Sequence, residues 1–161
     1  MENTVDKKRS IIFKILVIAE KKISDYKDHS KGAQERANEE EGAMQSRYST
    51  FKEEGQYLAD ALRAKYEEYK VAVSIIKNIQ NENITKDEVA RVLSLIAVEF
   101  EDGEIENYFI FPVLGGEKID NFLLISPNAP ITKALMGKEK GDEFQFFVGK
   151  TEKKGEIKNV E

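Results

Sequence analysis

The chain has 161 residues, of which 34% are charged and 40% are apolar, and its formal net charge is −5. This length allows one ordinary domain, or one small domain with an extended element, and the high charge favours an elongated shape. The absence of cysteine excludes disulfides and thiolate metal sites, and no apolar run approaches the roughly 20 residues of a membrane span.

We therefore expect a soluble cytoplasmic protein with no membrane partner. Residues 1–80 hold 15 Lys and Arg against 14 Asp and Glu, whereas residues 81–161 hold 10 against 16. Such a chain lacks the broad basic surface that nucleic-acid binding requires, so a protein partner is favoured.

The first half predicts an antiparallel coiled-coil hairpin over residues 1–80. Apolar or small residues recur in steps of four and three from Ile12 to Ala37, and in steps of three and four from Tyr48 to Ile79, where Lys65 is the charged exception. Pairing the two stripes places Tyr26 opposite Leu58 and puts the turn at Gly42, because glycine can adopt a positive φ without steric penalty. An arm of about 30 residues would extend roughly 45 Å and is too thin to enclose an enzyme pocket.

The second half, residues 81–161, predicts a small α+β domain. Residues 81–88 are predicted to form a linker. About five strands follow, over residues 91–100, 108–114, 121–125, 143–148 and 155–160. A short helix over residues 131–136 begins after Pro130 and ends at Gly137. We find no phosphate-binding loop, metal-ligand spacing or nucleophile motif, and the only histidine, His29, falls off the helical seam. We therefore assign no catalytic residue to the chain itself.

The segment 124–146, "LISPNAPITKALMGKEKGDEFQF", resembles the C-terminal signature of the Gre family of bacterial transcript-cleavage factors. Ala129 stands where that signature has serine, and Thr132 where it has alanine. The arm segment 47–76 also resembles the second coiled-coil helix of the family, including its opening Tyr48. The residues that match the signature in order are Pro130, Ile131, Ala134, Leu135, Gly137, Lys138, Gly141 and Asp142.

This resemblance implies a coiled-coil hairpin followed by an FKBP-like domain. It implies that RNA polymerase is the partner, with the domain docked at the rim of the secondary channel and the arm reaching the active centre and the nascent RNA 3′ end. The residues expected to dock are Pro130, Lys138, Gly141 and Asp142. The factor would not be an enzyme, because the polymerase supplies the nuclease activity.

In the family, an acidic pair at the tip of the arm helps to hold a second Mg²⁺ in the polymerase active centre. Counted back from Tyr48, the first acid of that pair corresponds to Glu41, but the second corresponds to Met44, which does not ligate Mg²⁺. A third acidic position corresponds to Arg47. The tip acids available in this chain are Glu39, Glu40 and Glu41.

Several functions stay open at this point. Such a tip is expected either to stimulate or modulate cleavage of backtracked RNA, or to occupy the channel as an inhibitor without cleavage. An FKBP-like domain also allows a peptidyl-prolyl isomerase, with Phe100, Tyr108, Phe109 and Phe111 as the available aromatics. A coiled-coil interaction module that pairs between chains is the last alternative, whereas the hairpin requires a monomer.

Overall fold

The computed structural model describes the backbone of residues 3–39, 48–79 and 84–161, and the side chains of residues 3–29, 56–79 and 84–161. Two long helices are followed by a six-stranded sheet with one short helix, which confirms the predicted fold class. The elements are α1 (Thr4–Glu39), α2 (Tyr48–Ile79), β1 (Leu95–Phe100), β2 (Ile105–Ile110), β3 (Lys118–Ile119), β4 (Phe122–Ile125), α3 (Pro130–Leu135), β5 (Glu143–Val148) and β6 (Thr151–Val160).

The helices α1 and α2 pack along their apolar stripes to form an arm. Ile12 and Ala19 of α1 and Ala72 and Ile76 of α2 are buried in one cluster. At about 1.5 Å per residue, the 36 residues of α1 extend roughly 54 Å and the 32 residues of α2 roughly 48 Å. Within the described ranges, no helix is long and apolar enough to cross a membrane.

The register of the two helices differs from the predicted one. Tyr26 stacks on Tyr66, with ring centroids 4.5 Å apart, and not on Leu58, which is 64% exposed. Tyr66 follows Leu58 by about two helical turns. A shift of about one heptad leaves one apolar stripe facing the other, so the repeat itself is compatible with both registers. The predicted turn at Gly42 lies outside the described residues.

The sheet separates the arm from α3. Its strand order is β3-β4-β2-β1-β6-β5, with β2 and β4 parallel and the other neighbours antiparallel. Because side chains alternate along a strand, Leu95 and Phe109 pack on the base of the arm, whereas Ile96 and Ile110 pack on the side of α3.

The base of α1 buries more apolar surface than the two-helix seam alone predicts. Ile11 and Ile15 are 2% and 1% exposed and belong to the same cluster as Phe109 and Phe122 of the sheet. The apolar face of α1 is wider here because it contacts both α2 and the sheet.

Strand boundaries depart from the predicted ones in four places. Strand β2 runs over Ile105–Ile110 and not over residues 108–114, and Pro112, which has no N–H to donate to a neighbouring strand, lies just beyond its end. The two-residue strand β3 was not predicted, since it is too short to show alternation. The first strand begins at Leu95 and not at residue 91, because Leu93 has a φ of +71° that interrupts the extended backbone. Strand β6 begins at Thr151, because the two-residue turn that starts with Gly149, φ +63°, joins it directly to β5.

Helix α3 lies within one residue of its predicted bounds. Pro130 occupies its first turn, and Gly137 follows its end with a φ of +76°. Ala129 has the extended backbone of an N-cap residue, with φ −63° and ψ 142°, but it makes no side-chain capping hydrogen bond. The serine that the family signature carries at this position would supply the missing acceptor.

Candidate functional site

The four predicted docking residues lie on α3 and on the loop that follows it. Pro130, Gly141 and Asp142 are exposed, and Lys138 is half-buried. Since α3 packs on the face of the sheet away from the arm, this surface and the arm lie on opposite sides of the domain.

Backbone hydrogen bonds hold the start of this loop. The Gly137 N–H donates to the Ala90 carbonyl, and the Ala90 N–H donates to the Lys138 carbonyl, both at 2.8 Å. Ala90 is 1% exposed within the α3-side core. The position of Lys138 is therefore fixed by the segment that precedes β1.

Asp142 builds the end of the same loop. Its Oδ2 accepts a hydrogen bond from the Glu139 N–H at 2.8 Å, and its own N–H donates to the Glu139 carbonyl at 3.1 Å. Gly141, with a φ of +93°, donates to the Ile157 carbonyl of β6 at 2.7 Å. Asp142 and Gly141 thus have a structural role in turning the chain, which separates them from the candidate docking side chain Lys138.

An open groove of about 670 Å³ runs beside α3 and along β5 and β6. Phe100 and Phe144 contribute to its lining, and Lys133 and Lys138 lie on the α3 side. Among the described residues, neither of these lysines takes part in an ion pair, whereas Lys158 lies 2.8 Å from Glu99. The hydrogen bond to Glu99 is the largest cause that raises the pKa of Lys158. No described carboxylate therefore forms an ion pair with Lys133 or Lys138 at the α3 side of the groove.

The aromatics that favoured an isomerase do not form a common pocket. Phe109 and Phe111 are fully buried in the cluster that contacts the arm. Tyr108, 3% exposed, belongs to the cluster on the other face of the sheet. Of the four, only Phe100 lines the groove.

A buried ion pair joins the first turns of α1 to the segment before β1, and sequence patterning did not find it. The Lys8 ammonium donates to Asp87 Oδ2 at 2.6 Å and to the Thr85 carbonyl at 2.9 Å, and both charged side chains are nearly fully buried. Asp87 also accepts hydrogen bonds from Arg91 Nε at 2.6 Å and from the Ser94 hydroxyl at 2.8 Å. Residues 84–88 are therefore anchored to the arm.

The hydrogen bonds also set the ionisation of this carboxyl group. Burial by itself would raise the pKa of Asp87. The hydrogen bonds from Lys8, Arg91 and Ser94 outweigh burial and hold the pKa of Asp87 below its usual value. Asp87 is consequently an anion at neutral pH, as its three donors require.

The predicted tip lies outside the part of the chain that is described. This holds for Glu40, Glu41, Met44 and Arg47. Glu39 and Tyr48 are described only as the last backbone position of α1 and the first of α2. Among the described residues, no group of three or more His, Asp or Glu side chains is placed to hold a metal ion.

The C-terminal domain is similar to a known family. Residues 85–161 match the family model described as transcription elongation factor, GreA/GreB, C-term. A comparison with curated proteins returned no match.

Solved structures of three related factors are similar to this chain. The transcription factor Gfh1 is 15% identical, with a TM-score of 0.41, and the match covers 93% of this chain and 92% of that one. GreA factor homolog 1 of Thermus thermophilus is 15% identical, with a TM-score of 0.40 and coverage of 93% and 94%. Gfh1 of Thermus aquaticus is 14% identical, with a TM-score of 0.40 and coverage of 94% of each chain.

The signature found in residues 124–146 thus lies inside the segment that matches the family model. Residues 85–161 are similar to the C-terminal domain of the GreA/GreB transcription elongation factors, the family that the signature in residues 124–146 resembles.

Proposed function

We propose that the protein docks on RNA polymerase through its C-terminal domain and places the tip of the α1–α2 arm in the secondary channel. There it modulates or stimulates cleavage of backtracked RNA. The observation that carries this proposal is the match of residues 85–161 to the GreA/GreB C-terminal domain. The chain itself supplies no catalytic group in this scheme, because the polymerase performs the hydrolysis.

The arm supports the proposal by its length. Among the described side chains, the buried residues of the arm–sheet core reach Ala19 on α1 and Tyr69 on α2. From there α1 continues to Glu39 and α2 begins at Tyr48, so about 20 residues, or roughly 30 Å of each helix, extend beyond this core. An element of this length and thickness can reach into a channel that would not admit a globular domain.

The tip acids fit a role near Mg²⁺ only in part. Carboxylate oxygens are the protein ligands that Mg²⁺ prefers, which suits Glu39, Glu40 and Glu41, whereas the thioether of Met44 does not suit it. A second Mg²⁺ in the polymerase active centre would stabilise the attacking and leaving oxygens of the hydrolysis. The contribution of this chain would be the Glu41 carboxylate, delivered by the arm to a metal that it shares with the polymerase and the RNA 3′ end.

Met44 also favours a second candidate function, a channel inhibitor that does not stimulate cleavage. With one acid of the pair missing, the tip carboxylates would occupy the channel near the catalytic metal and slow RNA synthesis. Purified protein added to backtracked elongation complexes in Mg²⁺ distinguishes the two functions. Shortening of the RNA 3′ end that is lost in Glu41→Ala supports cleavage, and slowed elongation without shortening supports inhibition.

Binding to core polymerase tests the docking surface separately. Lys138→Ala should weaken binding, because Lys138 is an unpaired cation in the groove beside α3, whereas Lys140→Ala, an exposed lysine two residues away, should not. Changes at Glu39, Glu40 and Glu41 should leave binding nearly intact. A wild-type protein that neither binds core polymerase nor alters its RNA would refute the proposed function.

A further inference from the structure

Directional polar contacts join α2 to the loop of residues 111–117 between β2 and β3. The Leu114 N–H donates to Glu68 Oε1 at 2.7 Å, and the Tyr69 hydroxyl donates to Glu117 Oε1 at 3.0 Å. Lys65 Nζ lies 3.0 Å from Glu68 Oε2 and 3.8 Å from Glu117 Oε1. Spacings of three and four residues place Lys65, Glu68 and Tyr69 on one face of the helix, so this face holds the loop at two points.

The backbone of the loop is strained at the point where Glu68 holds it. Leu114 has a φ of +60° and is 2% exposed. A left-handed conformation is unfavourable for a residue other than glycine, and glycine occupies the next two positions, 115 and 116. The leucine side chain lies in the apolar cluster between arm and sheet while its N–H meets the Glu68 carboxylate. The contact with Glu68 therefore offsets a conformation that the loop would otherwise avoid.

The same kind of strain recurs along this interface. Among the described residues, three that are not glycine have a positive φ: Leu93, Leu114 and Asp120. Leu93 packs against the arm–sheet cluster, Leu114 belongs to it, and Asp120 Oδ2 lies 2.6 Å from Lys14 Nζ of α1. Backbone strain in the domain thus coincides with its contacts to the arm.

Apolar packing between arm and sheet is not directional, so it permits small rotations that the polar contacts oppose. From Glu68 to Tyr48 the helix runs roughly 30 Å, and a rotation of about 10° at the base would move its far end by about 5 Å. A displacement of about 1 Å can cost on the order of 100-fold in a reaction that depends on placement.

We infer that Glu68 is a positioning residue: by holding the strained Leu114 N–H, it fixes the angle at which the arm leaves the domain. The consequence for transcription rests on the proposed function, whereas the geometric consequence does not. Glu67 provides a matched control, because it pairs with Lys70 at the surface, and no ion pair or hydrogen bond joins it to the described residues of the domain.

The geometric test measures the distance between arm and domain in the free protein. The chain has no cysteine, so Tyr57→Cys on the arm and Lys150→Cys in the β5–β6 turn, both exposed, accept a pair of spin labels. We expect Glu68→Ala to broaden the distance distribution measured by pulsed electron resonance, and Glu67→Ala to leave it unchanged. Glu68→Gln, which keeps a neutral acceptor, should broaden it less. A distribution that is equally narrow in wild type and Glu68→Ala would overturn the inference.

The functional test uses the same variants on backtracked and elongating polymerase. Glu68→Ala should bind core polymerase as wild type does, because the docking surface lies on the opposite face of the sheet, but it should lose about tenfold or more of its effect on the RNA. A wild-type protein without effect on polymerase would refute the proposed function, and the distance distributions would still decide the role of Glu68. Full activity in a Glu68→Ala protein whose distribution has broadened would overturn the link between arm angle and function.

Discussion

Substitution of Asp87 tests the ion pair that joins the arm to the domain. In Asp87→Asn the side chain keeps its shape, but the Lys8 ammonium, 1% exposed, loses the one buried counter-ion that it has among the described residues. Lys8 would retain the Thr85 carbonyl at 2.9 Å, and Arg91, whose side chain is 59% exposed, could return to water. The loss of stability therefore comes mainly from the unpaired Lys8 ammonium.

Breaking a buried pair by removing one partner costs about 3–5 kcal/mol, because an uncompensated charge is left in the interior. We expect Asp87→Asn to lower the free energy of unfolding by about this amount. At about 2–4 °C per kcal/mol for a chain of this size, the melting temperature should fall by roughly 10 °C or more. Urea unfolding followed by circular dichroism measures the change. An unaltered slope of unfolding free energy against urea concentration would show that the denatured state is the same.

The double variant Lys8→Met/Asp87→Asn identifies the cause. If the stranded ammonium is responsible, its removal should restore about 2 kcal/mol or more relative to Asp87→Asn alone. A cost below about 1 kcal/mol for Asp87→Asn, or a double variant no more stable than Asp87→Asn, would refute the reasoning.

The dependence of stability on pH in the acid range tests the Asp87 carboxyl group independently. Because the folded-state pKa of Asp87 is depressed, its stabilisation is present above the unfolded pKa of about 3.9 and is lost as the pH falls through the lower folded value. The difference in stability between wild type and Asp87→Asn should therefore shrink below about pH 4. A difference that stays constant from pH 6 to pH 2 would show that the charge of Asp87 is not the cause.

Three further substitutions test packing and capping by urea unfolding. Gly155→Ala should lower the free energy of unfolding by about 1–3 kcal/mol, because the added Cβ would lie 2.5 Å from the Glu99 carbonyl oxygen. Gly115→Ala should lower it much less, because the nearest atoms to its Cβ are 3.4 Å away, and equal losses would contradict this reasoning. Thr132→Val should raise stability by about 1 kcal/mol, since the fully buried Thr132 hydroxyl has no hydrogen-bond partner in the described part of the chain. Thr132→Ser, which keeps the hydroxyl, should not raise stability. Ala129→Ser should add about 0.5–2 kcal/mol by capping α3, whereas Ala129→Val should add nothing, and no gain from serine would show that α3 needs no cap.

The turns and short elements of the C-terminal domain could largely be predicted because their signals are local. Pro130 and Gly137 bound α3 through their own backbone preferences. The strand starts were less predictable, since the positive φ of Leu93 has no signature in a leucine side chain. For the candidate site, the signature in residues 124–146 indicated Lys138 and Asp142 together, and only the hydrogen bond from the Glu139 N–H separates the turn-forming role of Asp142 from the groove position of Lys138.

The sequence by itself determined two long amphipathic helices, a following α+β domain and a resemblance of that domain to a known family. Periodicity, turn residues and a contiguous signature are all properties of neighbouring residues. Only the tertiary structure decided how those parts meet. A heptad repeat is unchanged by a shift of seven residues, so the contact of Tyr26 with Tyr66 could not be chosen from the pattern. The pairing of Lys8 with Asp87 and of Glu68 with Leu114 spans 79 and 46 positions of the chain, and no local preference links groups so far apart.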